Sequence, residues 1–218
     1  MGAHAKWPSA AVELLNAEDT AEGRERLLKA VGYGQVDEEA LYLSLDRIVT
    51  LFAEERLEAD RHHFYEIPVS ASWWQGRRER TVSIALAHAP EVRTTRLEYR
   101  ATKMKFSFVT AASLDEVAAA FRRNRDKGMT ERVLNRWIPD KQRSNGTLQV
   151  SRWAFRGGSR ASRLFVVVTR QDSTWSTVND QLESYAIAAV LSDPHAEVSL
   201  YTELRAALQA RVRARLQL

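Results

Sequence analysis

Seven stretches of the chain read as strands, six of them by alternating faces along the chain, since a period of two marks a strand with one face buried. The first runs through Ile48, Thr50 and Phe52, with Val49, Leu51 and Ala53 on the opposite face. His63, Tyr65, Ile67 and Val69 form the second, and Val82, Ile84, Leu86 and His88 the third, which ends at Pro90. Met104, Phe106 and Phe108 alternate with Lys103, Lys105 and Ser107. Leu148, Val150, Arg152 and Ala154 oppose Trp153 and Phe155. Residues 164–169 are a β-branched run suited to a buried strand, and Tyr185, Ile187, Ala189 and Leu191 make the last stretch. Residues 211–218 alternate as an eighth strand would, whereas Tyr201, Leu204 and Leu208 suit one helical turn or two.

Helical spacing occurs in two places. Residues 8–31 read as two helices, with Pro8 in a first turn, Thr20 as an N-cap, and Leu27, Leu28 and Val31 on one face. Gly32 and Gly34 around Tyr33 end this segment. Ser113 followed by Glu116 is a capping box, and Leu114, Val117, Ala118 and Phe121 give the apolar face of a helix inserted between strands. Residues 127–146, which include Trp137, read as a long loop. No βαβ rhythm exists. The fold expected is therefore mainly β: an antiparallel β-sandwich or jelly roll with an inserted helix, preceded by a short N-terminal helical segment.

Composition narrows the chemistry. In 218 residues there is no cysteine, which excludes disulfides, thiolate metal sites and a Cys nucleophile. No apolar run is long enough to span a bilayer, and no leader-like segment stands at the start. The expected location leans cytoplasmic, with no membrane partner. His62 and His63 are adjacent in a strand and so face opposite ways, a poor geometry for a shared metal. His62 and Glu66 share a face but do not make a site. His88 reads as a satisfied edge histidine. Gly158-Ser159-Arg160-Ala161 reads as a hairpin turn, because a serine nucleophile needs a base and oxyanion donors that the segment does not offer. Neither a metal nor a cofactor is expected.

Charge is uneven. Residues 1–70 carry 14 carboxylates against 7 cations, and residues 71–218 carry 25 cations against 14 carboxylates. A basic surface of Arg93, Arg96, Arg100, Lys103 and Lys105 is one candidate binding face, for nucleic acid or another polyanion. Without a readout element, nucleic-acid binding there is expected to be weak, non-specific and salt-sensitive. Trp73 and Trp74, if exposed, would suit a carbohydrate. Both readings make the chain a stand-alone jelly-roll binding module.

Several short motifs point elsewhere. They are His4-Ala5-Lys6-Trp7-Pro8, Ala30-Val31-Gly32-Tyr33-Gly34 and Ala40-Leu41-Tyr42. Residues 47–55, Tyr65-Glu66-Ile67-Pro68, residues 82–87, Arg93-Thr94-Thr95-Arg96 with Tyr99, and Gly146-Thr147-Leu148-Gln149 extend them. Together they resemble the C-terminal part of bacterial subtilisin-like serine peptidases. In that family a Gly-Tyr-Gly turn closes the catalytic domain, and a β-sandwich extension follows with a Val-Thr-Leu strand. The turn Ala87-His88-Ala89-Pro90 departs from the pattern, where an aromatic or Asp and a double proline are expected.

The resemblance implies two parts: residues 1–42 as the helical tail of a catalytic domain and residues 43–218 as the sandwich. Trp7, Leu15, Leu28 and Tyr33 would then contact a catalytic domain supplied in cis or in trans, and Gly32-Tyr33-Gly34 would be a hinge between the helices and the sandwich. A homo-oligomer is a further option. The family's Asp-Ser/Thr-Gly, His-Gly-Thr and Gly-Thr-Ser-x-Ala segments are all missing. The expected role is non-catalytic: structural support or control of substrate access for a serine endopeptidase, with no activity by itself.

Overall fold

A computed structural model describes residues 2–15, 20–36, 47–95, 97, 99–122, 146–156, 163–172, 182–196 and 199–206. The long-loop residues 127–145, Ser159, Arg96 and the strand expected at 211–218 lie outside the described residues.

All seven stretches are strands. They are β3 (Ile48–Leu57), β4 (His62–Ile67), β5 (Glu79–His88), β6 (Thr102–Ala111), β7 (Leu148–Arg156), β8 (Arg163–Asp172) and β9 (Glu183–Ser192). The short strands β1 (Ala5–Lys6) and β2 (Gln35–Val36) pair with each other. One sheet has the order β3-β9-β5-β7 and the second β4-β8-β6, and every pairing is antiparallel. The fold is a mainly-β sandwich. Although β3 and β4 are consecutive, the chain changes sheets between them, so each forms an edge.

Parity along each strand sorts the side chains. Val82, Ile84 and Leu86 on β5, Ile187 and Leu191 on β9, Trp153 on β7, and Met104, Phe106 and Phe108 on β6 point between the sheets into one core. Rings of Phe108 and Trp153 stand 4.7 Å apart, and Phe106 meets the same indole at 6.1 Å, spacings at which aromatic pairs attract beyond their buried area.

Both outer faces are partly covered. Helix α3 (Leu114–Arg122) lays Val117 and Phe121 over Val109, Ala111, Phe165 and Val167 of the three-stranded sheet. Its capping box forms as the sequence predicts: the Glu116 N–H donates to Ser113 Oγ at 3.2 Å, and Glu116 Oε2 accepts from the Ala112 N–H at 3.0 Å. A 3-10 turn at Gly2–His4 covers the four-stranded sheet, with Ala3 packed among Ala85, Val150 and Val190. The helices α1 (Ser9–Leu15) and α2 (Ala21–Val31) follow, the second capped by Thr20 Oγ1, which accepts from the Gly23 N–H.

At the expected hinge, residues 32–34, the chain touches the sandwich. Tyr33 donates its hydroxyl proton to the Leu148 carbonyl at 2.9 Å, and His4 Nε2 lies 3.0 Å from Thr50 Oγ1. The helix pair is thus tied to the sandwich on both flanks. Trp7 donates to the Gly32 carbonyl at 2.8 Å, closing the segment on itself. Of the four residues expected to reach a catalytic domain, Trp7 and Tyr33 make these internal bonds, Leu28 is half-buried, and the Leu15 side chain lies outside the description.

Glycine is required at Gly34. Its φ is +91°, and a Cβ would run into the Lys6 carbonyl across the β1–β2 pair. At Gly32, φ is +60° but a Cβ would meet nothing within 4 Å. Gly34→Ala combines backbone strain with a clash and is expected to lower stability by about 3 kcal/mol, against about 1–2 kcal/mol for Gly32→Ala. Urea denaturation of the two variants checks the order; equal losses would show that the β1–β2 contact is not constrained.

Candidate functional site

The space between the sheets is apolar at mid-height and polar at both ends. At the lower end, where β9 finishes, Asp193 is 1% exposed. Arg78 donates from Nε to Asp193 Oδ2 at 2.7 Å, and the buried Arg80 lies 3.6 Å from the same oxygen. Arg80 also donates to the Gln75 carbonyl. Burial first, then Arg78, lowers the Arg80 guanidinium below its ordinary value, and Asp193 opposes both. Next to this cluster the hydroxyls of Ser70 and Ser72 donate to Glu203 Oε2 at 2.7 and 2.5 Å. Residues 200–206 are helical, with Leu200 and Leu204 in the core, so this carboxylate is held in place. The network joins a loop, a strand end and a helix; no imidazole takes part in it.

At the upper end, where β9 begins, the polar residues come from all three layers of chain that meet there. His63 Nδ1 lies 2.6 Å from the Tyr185 hydroxyl, which also shares a hydrogen bond with the Tyr65 hydroxyl. These three bridge β4 to β9 and therefore one sheet to the other. Burial, then the bond to Tyr65 and the charge of Glu55, push the Tyr185 phenol far above its usual range; burial raises Tyr65 as well. Both phenols stay protonated at any physiological pH. Arg170, fully buried, donates from Nε and Nη2 to the two oxygens of Asp172 at 2.8 and 2.9 Å and from Nη1 to the Leu57 carbonyl at 2.8 Å. Burial raises the half-buried Glu183 carboxyl, against the pull of Arg170.

The same end holds His88 and Arg100, 8% and 7% exposed. Neither ring nitrogen of His88, nor Arg100 Nη1, has a hydrogen-bond partner among the described residues. Burial, then the nearby charge of Arg100, lowers the His88 pKa to about 4, so the imidazole is neutral at pH 7. An open cleft of about 920 Å³ runs over the upper ends of β3, β9 and β5, lined by Glu54, Glu55, Arg56, His88, Ser184 and Tyr185 among others.

Several sequence expectations need correction. His88 is neither satisfied nor on an edge, because β5 lies between β9 and β7. Trp73 and Trp74 are 1% and 9% exposed and pack on Phe155, so they offer no platform to a sugar. Adjacent tryptophans in a strand would point opposite ways; a 3-10 turn at Ala71–Trp74 turns both inward. The basic surface does not assemble. Arg100 faces inward, Arg93 sits 3.7 Å from Glu91, and Lys103 and Lys105 lie on the outer face of β6. His62 and His63 do face opposite ways: His62 packs on Phe121 and lies 2.9 Å from Thr169 Oγ1 on the outer face. Among the described residues, no group of three or more His, Asp or Glu is placed to hold a metal ion.

Composition and motif searching missed Arg80, Arg170, Gln149 and Ser151, all of them fully or almost fully buried. Strand parity could have found them. Arg80 shares its face with Val82, Ile84 and Leu86; Arg170 with Val166 and Val168; Gln149 and Ser151 with Trp153.

No protein-family profile matches the chain. It is similar to the uncharacterized protein y4bN of Sinorhizobium fredii, with 30% identity over 195 residues. That match takes in 86% of this chain and 45% of y4bN, so the chain spans less than half the length of this relative.

Two outcomes are expected at the upper end. Tyr185→Phe removes the hydroxyl that joins His63 to Tyr65 and should cost about 1–2 kcal/mol in urea denaturation, because two half-buried partners lose their bond. An unchanged midpoint would mean that water replaces the hydroxyl without loss. His88 makes stability depend on pH. Between its unfolded value of 6.5 and about 4, the unfolded chain takes up a proton that the folded chain refuses. Stability therefore rises with pH across that window, by up to about 3 kcal/mol. His88→Gln should flatten this part of the pH profile; a variant with the wild-type slope would show that His88 protonates freely in the fold.

Proposed function

We propose that the chain is a non-catalytic accessory module of a subtilisin-like serine peptidase, supporting a catalytic domain or shaping access to it. The observation that carries this reading is the order of parts. A helical segment ending in Gly32-Tyr33-Gly34 is followed by an antiparallel sandwich whose first strand holds Val49-Thr50-Leu51, the arrangement that the resemblance implies. The length of y4bN agrees with a module that works within, or beside, a larger protein.

Peptide hydrolysis through an acyl-serine needs a serine whose proton passes to an imidazole, and donors for the oxyanion. The described serines closest to that chemistry, Ser70 and Ser72, donate to the Glu203 carboxylate instead. A carboxylate is too weak a base to activate a hydroxyl at neutral pH without an imidazole between them. The catalytic Asp, His and Ser of the proposed peptidase therefore belong to its catalytic domain, in cis or in trans.

The experiment is fluorophosphonate labelling. Purified chain is expected to take no label and to leave casein intact. In the native cell, a cross-linked or co-purified complex should contain a labelled subtilisin-like protein, identified by its peptides. Labelling of the chain itself, or a complex with no fluorophosphonate-reactive member, would sink the reading.

A further inference from the structure

We propose that the cleft over β3, β9 and β5 binds one small oxyanion, a carboxylate or a phosphate, against the buried His88 and the nearby charge of Arg100 at the upper end of the sandwich. The site is built by backbone. The His88 N–H donates to the Thr147 carbonyl at 3.0 Å, which fixes the end of β5 against the chain entering β7. Val92 and Arg100 pair across an antiparallel bridge: the Arg93 N–H donates to the Tyr99 carbonyl at 2.7 Å, and the Ala101 N–H to the Glu91 carbonyl at 2.9 Å. Between these two bonds Arg100 has its guanidinium inside, 5.7 Å from the Tyr99 ring. The arginine is not placed by a carboxylate; among the described residues none pairs with it.

Two buried side chains here hold unused hydrogen-bonding capacity. They are Arg100 at Nη1 and His88, whose ring nitrogens make no hydrogen bond of good geometry although the Thr147 backbone lies near. Both are at least nine-tenths buried. Orphaned polar atoms are few in native proteins, and a pair of them implies an unseen ion or water. A buried guanidinium is costly unless its charge is met, and an oxyanion meets it through two parallel N–H donors. A protonated His88 would add a further donor.

The surroundings limit the size of the ligand. Glu54 and Glu55 stand on the β3 wall of the cleft and Glu183 at the start of β9, so a polyanion such as nucleic acid would be repelled at the entrance. One or two charges, seated on Arg100, fit.

Binding must then be coupled to protons. The groups facing His88 are Arg100 from the bridge, Tyr185 and Glu183 from β9, and Glu54, Glu55 and Arg56 from β3; β7 presents only Leu148 and Gln149. With the cleft empty, Arg100 disfavours a charged imidazole. An oxyanion reverses that sign, so binding should draw a proton onto His88 and tighten as pH falls toward 5.

The test uses the full chain with ¹³Cε1-labelled histidine, assigned with His88→Gln. Sodium acetate, inorganic phosphate and sodium chloride are titrated at matched ionic strength. Expected is a saturable shift of the His88 resonance in acetate or phosphate, with the His88 pKa raised by at least one unit and the other four histidines unmoved. Arg100→Gln should weaken the effect at least tenfold, and Arg100→Lys should restore part of it. A response to both anions identifies carboxylates as ligands; a response to phosphate alone identifies phosphate. A His88 signal that moves no more than in chloride overturns the proposal and leaves water in the cleft. This wild-type comparison decides even if Arg100→Gln does not fold, and binding by Arg100→Gln at wild-type strength overturns it equally.

Discussion

Strand β9 is the constraint on which the larger sheet depends. It lies between β3 and β5, bonded to β3 along its whole length and to β5 from Tyr185 to Ser192. The residues it joins are far apart in sequence: Ile48 lies opposite Ser192, and Leu57 opposite Glu183. Without β9 the edge strand β3 has no partner, and β5 keeps only β7. Its inward side chains then set the layout of the interior. Ile187, Ala189 and Leu191 fill the centre, Tyr185 reaches across to β4 at the upper end, and Asp193 gathers two arginines just below its lower end. Pairings of such long range close late, since their loop entropy must be overcome before any contact compensates for it.

Burying charge at both ends has a physical logic. The centre of a sandwich excludes water and suits only apolar chains, while the ends lie near solvent and near loop carbonyls. Arg170 and Arg80 exploit this. Each carries its stem through the apolar layer and places its guanidinium on a carboxylate and a backbone carbonyl. Arg100 follows the same geometry without the carboxylate, and that contrast makes the upper end chemically distinct.

Much of this was legible in the sequence, for reasons that particular residues make plain. Alternation marked six of the seven long strands because one face of each is buried in the core, and an unbroken apolar run marked β8 because both its faces are buried. The capping box at Ser113 and Glu116 marked α3 because its two hydrogen bonds are local. Thr20 and Gly32 marked the ends of α2 for the same reason. What stayed hidden depends on long-range placement. Nothing local distinguishes Arg100, facing in, from Arg93, facing out. Trp73 and Trp74 looked available because a turn conformation, not a strand, decides where they point. The docking of Tyr33 on Leu148 joins residues 115 positions apart. The parity of Arg80 and Arg170, by contrast, was in view: an arginine written in phase with Val, Ile and Leu is a buried arginine.

Partly covered faces leave the sandwich edges as its most open backbone. The turn at Gly2–His4 and helix α3 lie on the outer faces, and the Tyr33 hydroxyl occupies a carbonyl at the start of edge strand β7. At the opposite edge of the larger sheet β3 is ten residues long and carries an exposed Phe52, which could template another strand. Glu54, Glu55 and Arg56 follow on the same strand, all solvent-exposed. A second copy pairing antiparallel along this edge would have to bring those charges into a new sheet and strip their water. The acidic half of an otherwise basic chain thus acts as a guard rail. It discourages this edge from zipping into fibres while leaving the molecule free to associate elsewhere.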